Sequence, residues 1–226
     1  IKGIAQASRH IGRHIISTPL EHSSVSGSLT ALQERGWEID LLGIGRDGTV
    51  DPEEVRELLR PDTVLVALCA VDSELGTVQP VREIAELLAG YPNYRLHVDA
   101  TQAIGRIPVN FSDIDTMSFA PHKFGGLCGS GVLLKRSRMP LEPQMNGGAS
   151  TTLYRSGTPA LGLAASAALA LQFACEQREN RCAIVRRHRE RLLRALSAYP
   201  AVHINSPEHA VPQILNLSVQ NVKGTV

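Results

Sequence analysis

Small and apolar residues at Ile1, Ile4, Ala5, Ser8 and Ile11 repeat at helical spacing, so the chain opens inside a helix. Residues 14–17 read as a short strand ending in the turn Thr18-Pro19-Leu20-Glu21-His22, and a helix follows to Gly36. Residues 39–42 make the next strand and 43–48 a loop. Asp51-Pro52-Glu53-Glu54 then supplies a side-chain cap, a proline at the first helical position and a glutamate for the reciprocal hydrogen bond. That opens a helix to about Leu59. Residues 64–71 are apolar on both faces, as a central parallel strand covered by helices requires. The loop 72–79 leads through Pro80 into a helix over 81–88, and strands follow at 94–98, 116–119 and 131–134.

Strands alternating with helices predict an α/β domain with a mainly parallel sheet. Beyond it, Thr158-Pro159 is expected to cap a long Ala-rich helix that breaks near Asn180 and resumes to about Tyr199. Its uncharged part, residues 158–175, is shorter than the roughly 20 strongly apolar residues of a membrane span and reads as a buried helix. Residues 202–205 and 214–219 look like strands of a second, smaller domain. The expected organisation is a large domain over 1–160, connecting helices over 161–199 and the start of a small α+β domain over 200–226. The start inside a helix and the few residues after the last strand read as a fragment.

Charge narrows the function classes. With 23 Lys+Arg against 22 Asp+Glu there is no long-range field to gather nucleic acid or an anionic membrane. The basic run over 186–191 reads as a solvated helix face, because Val185, Leu192, Leu193 and Leu196 supply an apolar stripe opposite it. Cys69, Cys128, Cys175 and Cys182 show no metal-ligand spacing, so no metal site is expected, and they fit a reducing cytoplasm. Cys69 and Cys175 are expected to be buried, and Cys182 to sit on a helix away from any site.

In sheets of this type ligands bind beyond the carboxyl ends of the strands. His22 follows one predicted tip, Asp72 a second, Asp99 and Gln102 a third, and His122-Lys123 a fourth. A lysine amine can form a Schiff base with the aldehyde of pyridoxal 5'-phosphate (PLP), and a carboxylate from another strand can hold the ring nitrogen protonated. Gln102 lies three residues after Asp99, so on a helical turn both side chains can face one ligand.

Residues 15–158 resemble the large domain of the cysteine desulfurases, PLP enzymes of fold type I in the class V aminotransferase group. The matching segments are Thr18-Pro-Leu-Glu-His22-Ser-Ser-Val, Ser73-Glu-Leu-Gly-Thr-Val-Gln-Pro80, His97-Val-Asp99-Ala-Thr-Gln102-Ala-Ile-Gly, His122-Lys123-Phe-Gly-Gly and Arg155-Ser-Gly-Thr158. The resemblance implies a mainly parallel sheet of the seven-stranded type flanked by helices. It implies that Lys123 carries the cofactor and, with His22, takes part in catalysis. His22 would stack on the pyridine ring, Asp99 pair with its nitrogen, Gln102 hydrogen-bond the phenolic oxygen and His122 reach the phosphate. Thr158 would contact the phosphate held by a partner subunit, and the resemblance thereby implies a homodimer.

The same resemblance implies L-cysteine as substrate, alanine as product, and sulfur passed to an acceptor protein for iron–sulfur cluster assembly or thiolation. Two departures stand out. Ala120 takes the place of a usual Ser or Thr phosphate donor, and Asp72 the place of a usual asparagine near the phenolic oxygen. The family's nucleophilic cysteine and substrate-binding arginine are expected beyond Val226. Two alternatives stay open: another class V enzyme, such as a selenocysteine lyase or small-molecule aminotransferase, and a catalytically silent homologue, suggested by Ala120 and Asp72.

Overall fold

The computed structural model describes residues 1–91, 93–148 and 152–222. Its centre is a six-stranded sheet built from β1 (His14–Ser17), β2 (Glu38–Leu41), β3 (Thr63–Cys69), β4 (Arg95–Asp99), β5 (Thr116–Phe119) and β6 (Val132–Lys135), in the order β2-β1-β3-β4-β5-β6. The neighbours from β2 to β5 are parallel, and β6 closes one edge antiparallel to β5. Six strands therefore stand among the described residues where the seven-stranded type is expected.

Every residue of β3 is buried, which is what a centre strand under helices on both faces demands. Alternate side chains go to opposite layers. Ile15 and Ala67 join α1 (Lys2–Ser8) and α2 (Ser23–Gln33) through Ile4, Val25, Leu29 and Leu32. Ile16, Val66 and Leu68 join α3 (Pro52–Leu58), α4 (Val81–Leu88) and α5 (Leu161–Glu176) through Val55, Ile84 and Ala174. At the amino ends of the strands the fully buried His14 bridges Thr63 Oγ1 (2.7 Å) and Asp40 Oδ2 (3.0 Å), tying β1 to both neighbours.

Several expectations are corrected. Asp51 does cap α3, accepting from the Glu53 N–H at 2.9 Å, but the Glu54 carboxylate reaches away to the Gly43 N–H (2.8 Å) instead of closing a reciprocal pair. Thr158 caps nothing: α5 starts after Ala160, with no side-chain cap. The break before α6 (Arg178–Leu196) falls at Gln177 rather than near Asn180. Nor is α5 a buried helix. Only the small residues Ala167, Ala170 and Ala174 are buried, while Leu161 is 76% exposed and Leu169 and Phe173 also face outward. Cys175, one position past Ala174, is exposed for the same reason.

On α6 the expected apolar stripe is half-buried at Val185, Leu193 and Leu196 and open at Leu192, which is 46% exposed, while residues 186–188 of the basic run face solvent. Strands β7 (Val202–Ile204) and β8 (Leu217–Val219) pair antiparallel as a separate two-stranded sheet. Residues 223–226 of the expected third segment lie outside the described residues. No described helix is long and apolar enough to cross a membrane.

Candidate active site

The carboxyl ends of β1, β3, β4 and β5 converge on a cavity of about 500 Å³ lined by His22, Cys69, Asp99, Gln102, Ala120, His122 and Lys123. Five of the expected residues, His22, Asp99, Gln102, His122 and Lys123, thus meet in one place. Each gets there by a local device. His22 is the N-cap of α2: its Nδ1 accepts from the Ser24 N–H at 3.2 Å, which leaves the ring proton of the neutral imidazole on Nε2.

Asp99 ends β4, and its Oδ1 accepts from the Thr101 N–H at 2.9 Å. The chain then turns helically, the Ile104 N–H reaching the Ala100 carbonyl at 3.1 Å, and this returns Gln102 to the cavity beside Asp99. Arg106 donates to the Gln102 side-chain oxygen. His122 and Lys123 occupy a 3₁₀ turn, Pro121–Lys123, directly after β5. Phe124 anchors that turn against Phe119, with ring centroids 5.9 Å apart. Gly126 folds back onto it, donating its N–H to the Pro121 carbonyl at 2.9 Å, and a Cβ there would meet the Pro121 Cβ at 2.7 Å. Lys123 is exposed; its backbone N–H donates to the Ala120 carbonyl at 3.1 Å, and its side-chain amine has no hydrogen-bond or ion-pair partner among the described residues.

Below the cavity floor His97 bridges β4 and β5 through Thr116 Oγ1 (2.8 Å) and Ser118 Oγ (3.3 Å), and burial pushes its pKa down to about 3. It is a neutral cross-strand pin, not an acid–base group.

Asp72 and Thr158 are not brought to the cavity lining. Asp72 is buried behind it, and its Oδ2 accepts from the backbone N–H groups of Glu74 (2.9 Å) and Leu75, so the carboxylate serves its own turn. Thr158 is exposed on the approach to α5. Two residues that sequence reasoning passed over do belong here. Cys69 lines the cavity, and Glu21, just before His22, is 9% exposed with its Oε1 accepting from the Cys69 N–H at 2.8 Å. Its place inside the Thr18–His22 turn was the available signal.

A larger cavity of about 970 Å³ lies between β6 and α5, but its lining is mostly apolar, with Arg155 and Arg178 as its charged members. The titratable and polar lining is in the smaller one. An amine, two carboxylates (Asp99 and Glu74), an amide and two imidazoles there, with the hydroxyl-bearing Ser24, Ser73 and Thr101 also in the lining, suit a protonatable aromatic ring that carries a phosphate.

Residues 1–225 match the Aminotransferase class-V family, and the chain belongs to it. It is 37% identical to a NifS/IcsS protein homolog of Lactobacillus delbrueckii subsp. bulgaricus, over 99% of this chain and 60% of that protein. It is 33% identical to the cysteine desulfurase IscS of Methanosarcina thermophila, over 99% of this chain and 56% of that one. Among solved structures, a NifS-like protein superposes with a TM-score of 0.94 at 32% identity, covering 98% of this chain and 61% of the other. DndA from Streptomyces lividans superposes at 0.88 with 38% identity, covering 96% and 63%. The fold is therefore that of the NifS-like PLP enzymes, and the chain spans about three fifths of the length of these relatives.

Proposed function

We propose that the cavity binds PLP and that the chain carries the cofactor site of a cysteine desulfurase, which converts L-cysteine to L-alanine and hands the sulfur to an acceptor protein. The observation that carries this reading is the meeting of His22, Asp99, Gln102, His122 and Lys123 in one cavity. Similarity to named cysteine desulfurases supports the choice of reaction, and the solved relative SspA in complex with cysteine supports the substrate.

When bound, the cofactor supplies an electron sink for the carbanion formed at the substrate Cα. The protein's part is placement. The unpaired amine of Lys123 would hold the cofactor aldehyde and, once displaced by the substrate amine, take the Cα proton on Nζ. Asp99 would face the ring nitrogen, where an ionised carboxylate favours the protonated ring. The Gln102 amide would donate to the phenolic oxygen. His22 would cover the ring face while its Nε2–H stays free for a substrate or cofactor acceptor. His122 would reach the phosphate, as would Thr158 across a homodimer interface.

The thiolate that takes the sulfur is assigned outside the four cysteines of this chain. Cys69 is buried, and its thiol is pushed far up by burial and then by Glu21, Asp72 and Asp99. Cys182 is buried against the Arg106 carbonyl (3.4 Å) and the Gln213 amide (3.1 Å). Cys128 and Cys175 are exposed, and neither lines the cavity. Four free cysteines fit the reducing cytoplasm this reading places the protein in.

The test is turnover of L-cysteine by the full-length, PLP-loaded protein, with alanine and enzyme-bound persulfide as readouts. Stoichiometric alanine and persulfide are expected. Transamination to a keto acid, or alanine formed from selenocysteine alone, would move the chain to another class V activity, and no turnover with PLP bound would make it a silent homologue.

A further inference from the structure

The turn between β1 and α2 buries a carboxyl group that the chemistry above does not use. Glu21 Oε1 accepts two hydrogen bonds, from Thr18 Oγ1 at 2.9 Å and from the Cys69 N–H at 2.8 Å. Its other oxygen, Oε2, is buried with no hydrogen-bond partner among the described residues. Two donors on one oxygen and none on the other describe a carboxylic acid, with Oε1 as carbonyl and the proton on Oε2. Ionised, the group would leave a bare charged oxygen out of water, which is far costlier than a buried hydroxyl.

The side chain joins two strand tips. Thr18 and Glu21 follow β1, while Cys69 ends β3 in register with Asp99 at the end of β4. Moving the Cys69 backbone therefore moves the residue pair that places Asp99. Resting on the PLP reading above, we propose that Glu21 is a positioning residue: as a neutral acid it ties the tips of β1 and β3 together and thereby holds Asp99 against the pyridine nitrogen.

The electrostatics agree with the geometry. Burial drives the Glu21 pKa up to about 7, the hydrogen bonds from Cys69 and Thr18 oppose the rise, and the Asp99 charge adds to it. The other titratable groups gathered at these tips are His22 from α2, Cys69, Asp72 and Glu74 from the end of β3, and His122 and Lys123 from the turn after β5. A charge on Glu21 would add to the carboxylate charge already at these tips and raise the repulsion with Asp99; the neutral acid does not.

The experiment uses the full-length protein carrying glutamate labelled with ¹³C at the side-chain carboxyl, and PLP labelled with ¹⁵N in the ring. Glu21, assigned by its loss in Glu21→Gln, is expected to titrate near neutral pH, above the value of 4.5 for a free glutamate side chain. Glu21→Gln, a neutral isostere that keeps the acceptor for Thr18 and Cys69, should hold PLP within about twofold of the parent, and Glu21→Ala should lose about tenfold or more, the scale of one buried hydrogen bond. In Glu21→Ala the ring ¹⁵N signal should shift toward the unprotonated position, which a purely structural brace would not cause; in Glu21→Gln it should stay put. Glu21 titrating at the free side-chain value of 4.5, a Gln variant as defective as the Ala variant, or an unmoved ¹⁵N signal in a folded Ala variant would each overturn the inference and leave the cofactor reading standing. A full-length protein that binds no PLP would overturn both.

Discussion

Cys69 and Asp99 are register partners at the carboxyl ends of adjacent parallel strands, so a thiol and a carboxylate share one wall of the same cavity. The pairing makes Cys69 inert, because burial and neighbouring carboxylates both oppose the thiolate, the form that reacts. Under native conditions an alkylating reagent should modify Cys128 and Cys175 and spare Cys69 and Cys182. Peptide mapping after brief exposure measures this, and alkylation of Cys69 as fast as Cys128 would refute it.

Asp99→Asn keeps the shape and the acceptor for the Thr101 N–H while removing the charge. In the full-length enzyme kcat should fall on the order of 100-fold, the scale of losing one preorganised charge-stabilising group. Near-normal turnover would show that the carboxylate only shapes the turn.

Ala120 lines the cavity in front of the 3₁₀ turn and offers no side-chain donor. Ala120→Ser in the full-length protein should tighten PLP binding by about 1 to 2 kcal/mol, the scale of one charge-assisted hydrogen bond. Equal dissociation constants for the two proteins would mean that another group already fills that place on the phosphate.

The buried Glu21 also sets a pH dependence of stability. Its folded-state pKa is about 7 against 4.5 for the free side chain. A raised folded-state value means the contribution is fully present below about pH 4.5 and lost as pH rises through about 7, up to about 3 kcal/mol in all. Glu21→Gln cannot ionise, so its stability relative to the parent should improve between about pH 5 and about pH 8 in urea titrations. An unchanged difference across that range would show that Glu21 is already ionised in the folded protein.

Local patterns carried most of the fold. The all-apolar run that became β3, the strand at residues 116–119 and the Asp51 cap were legible because each depends on its own few residues. So were the four strand tips, since polar groups after apolar runs mark the ligand-binding edge whatever the helices do. What sequence missed depends on partners far along the chain. An Ala-rich stretch says nothing of what covers it, and α5 turns out to bury only its small residues. Glu54 found Gly43, 11 residues back, in place of its own cap, and Asp72 turned its carboxylate to the backbone behind it. Glu21 reads as an ordinary turn acid until the chain returns, 48 residues later, with the Cys69 N–H.

Reduction of the full-length, PLP-loaded protein with borohydride, followed by mapping of the labelled peptide, tests whether Lys123 is the residue that holds PLP. A pyridoxyl group on Lys123 alone is the expected result. A label on Lys135 or another lysine, or none on a protein that carries PLP, would contradict it.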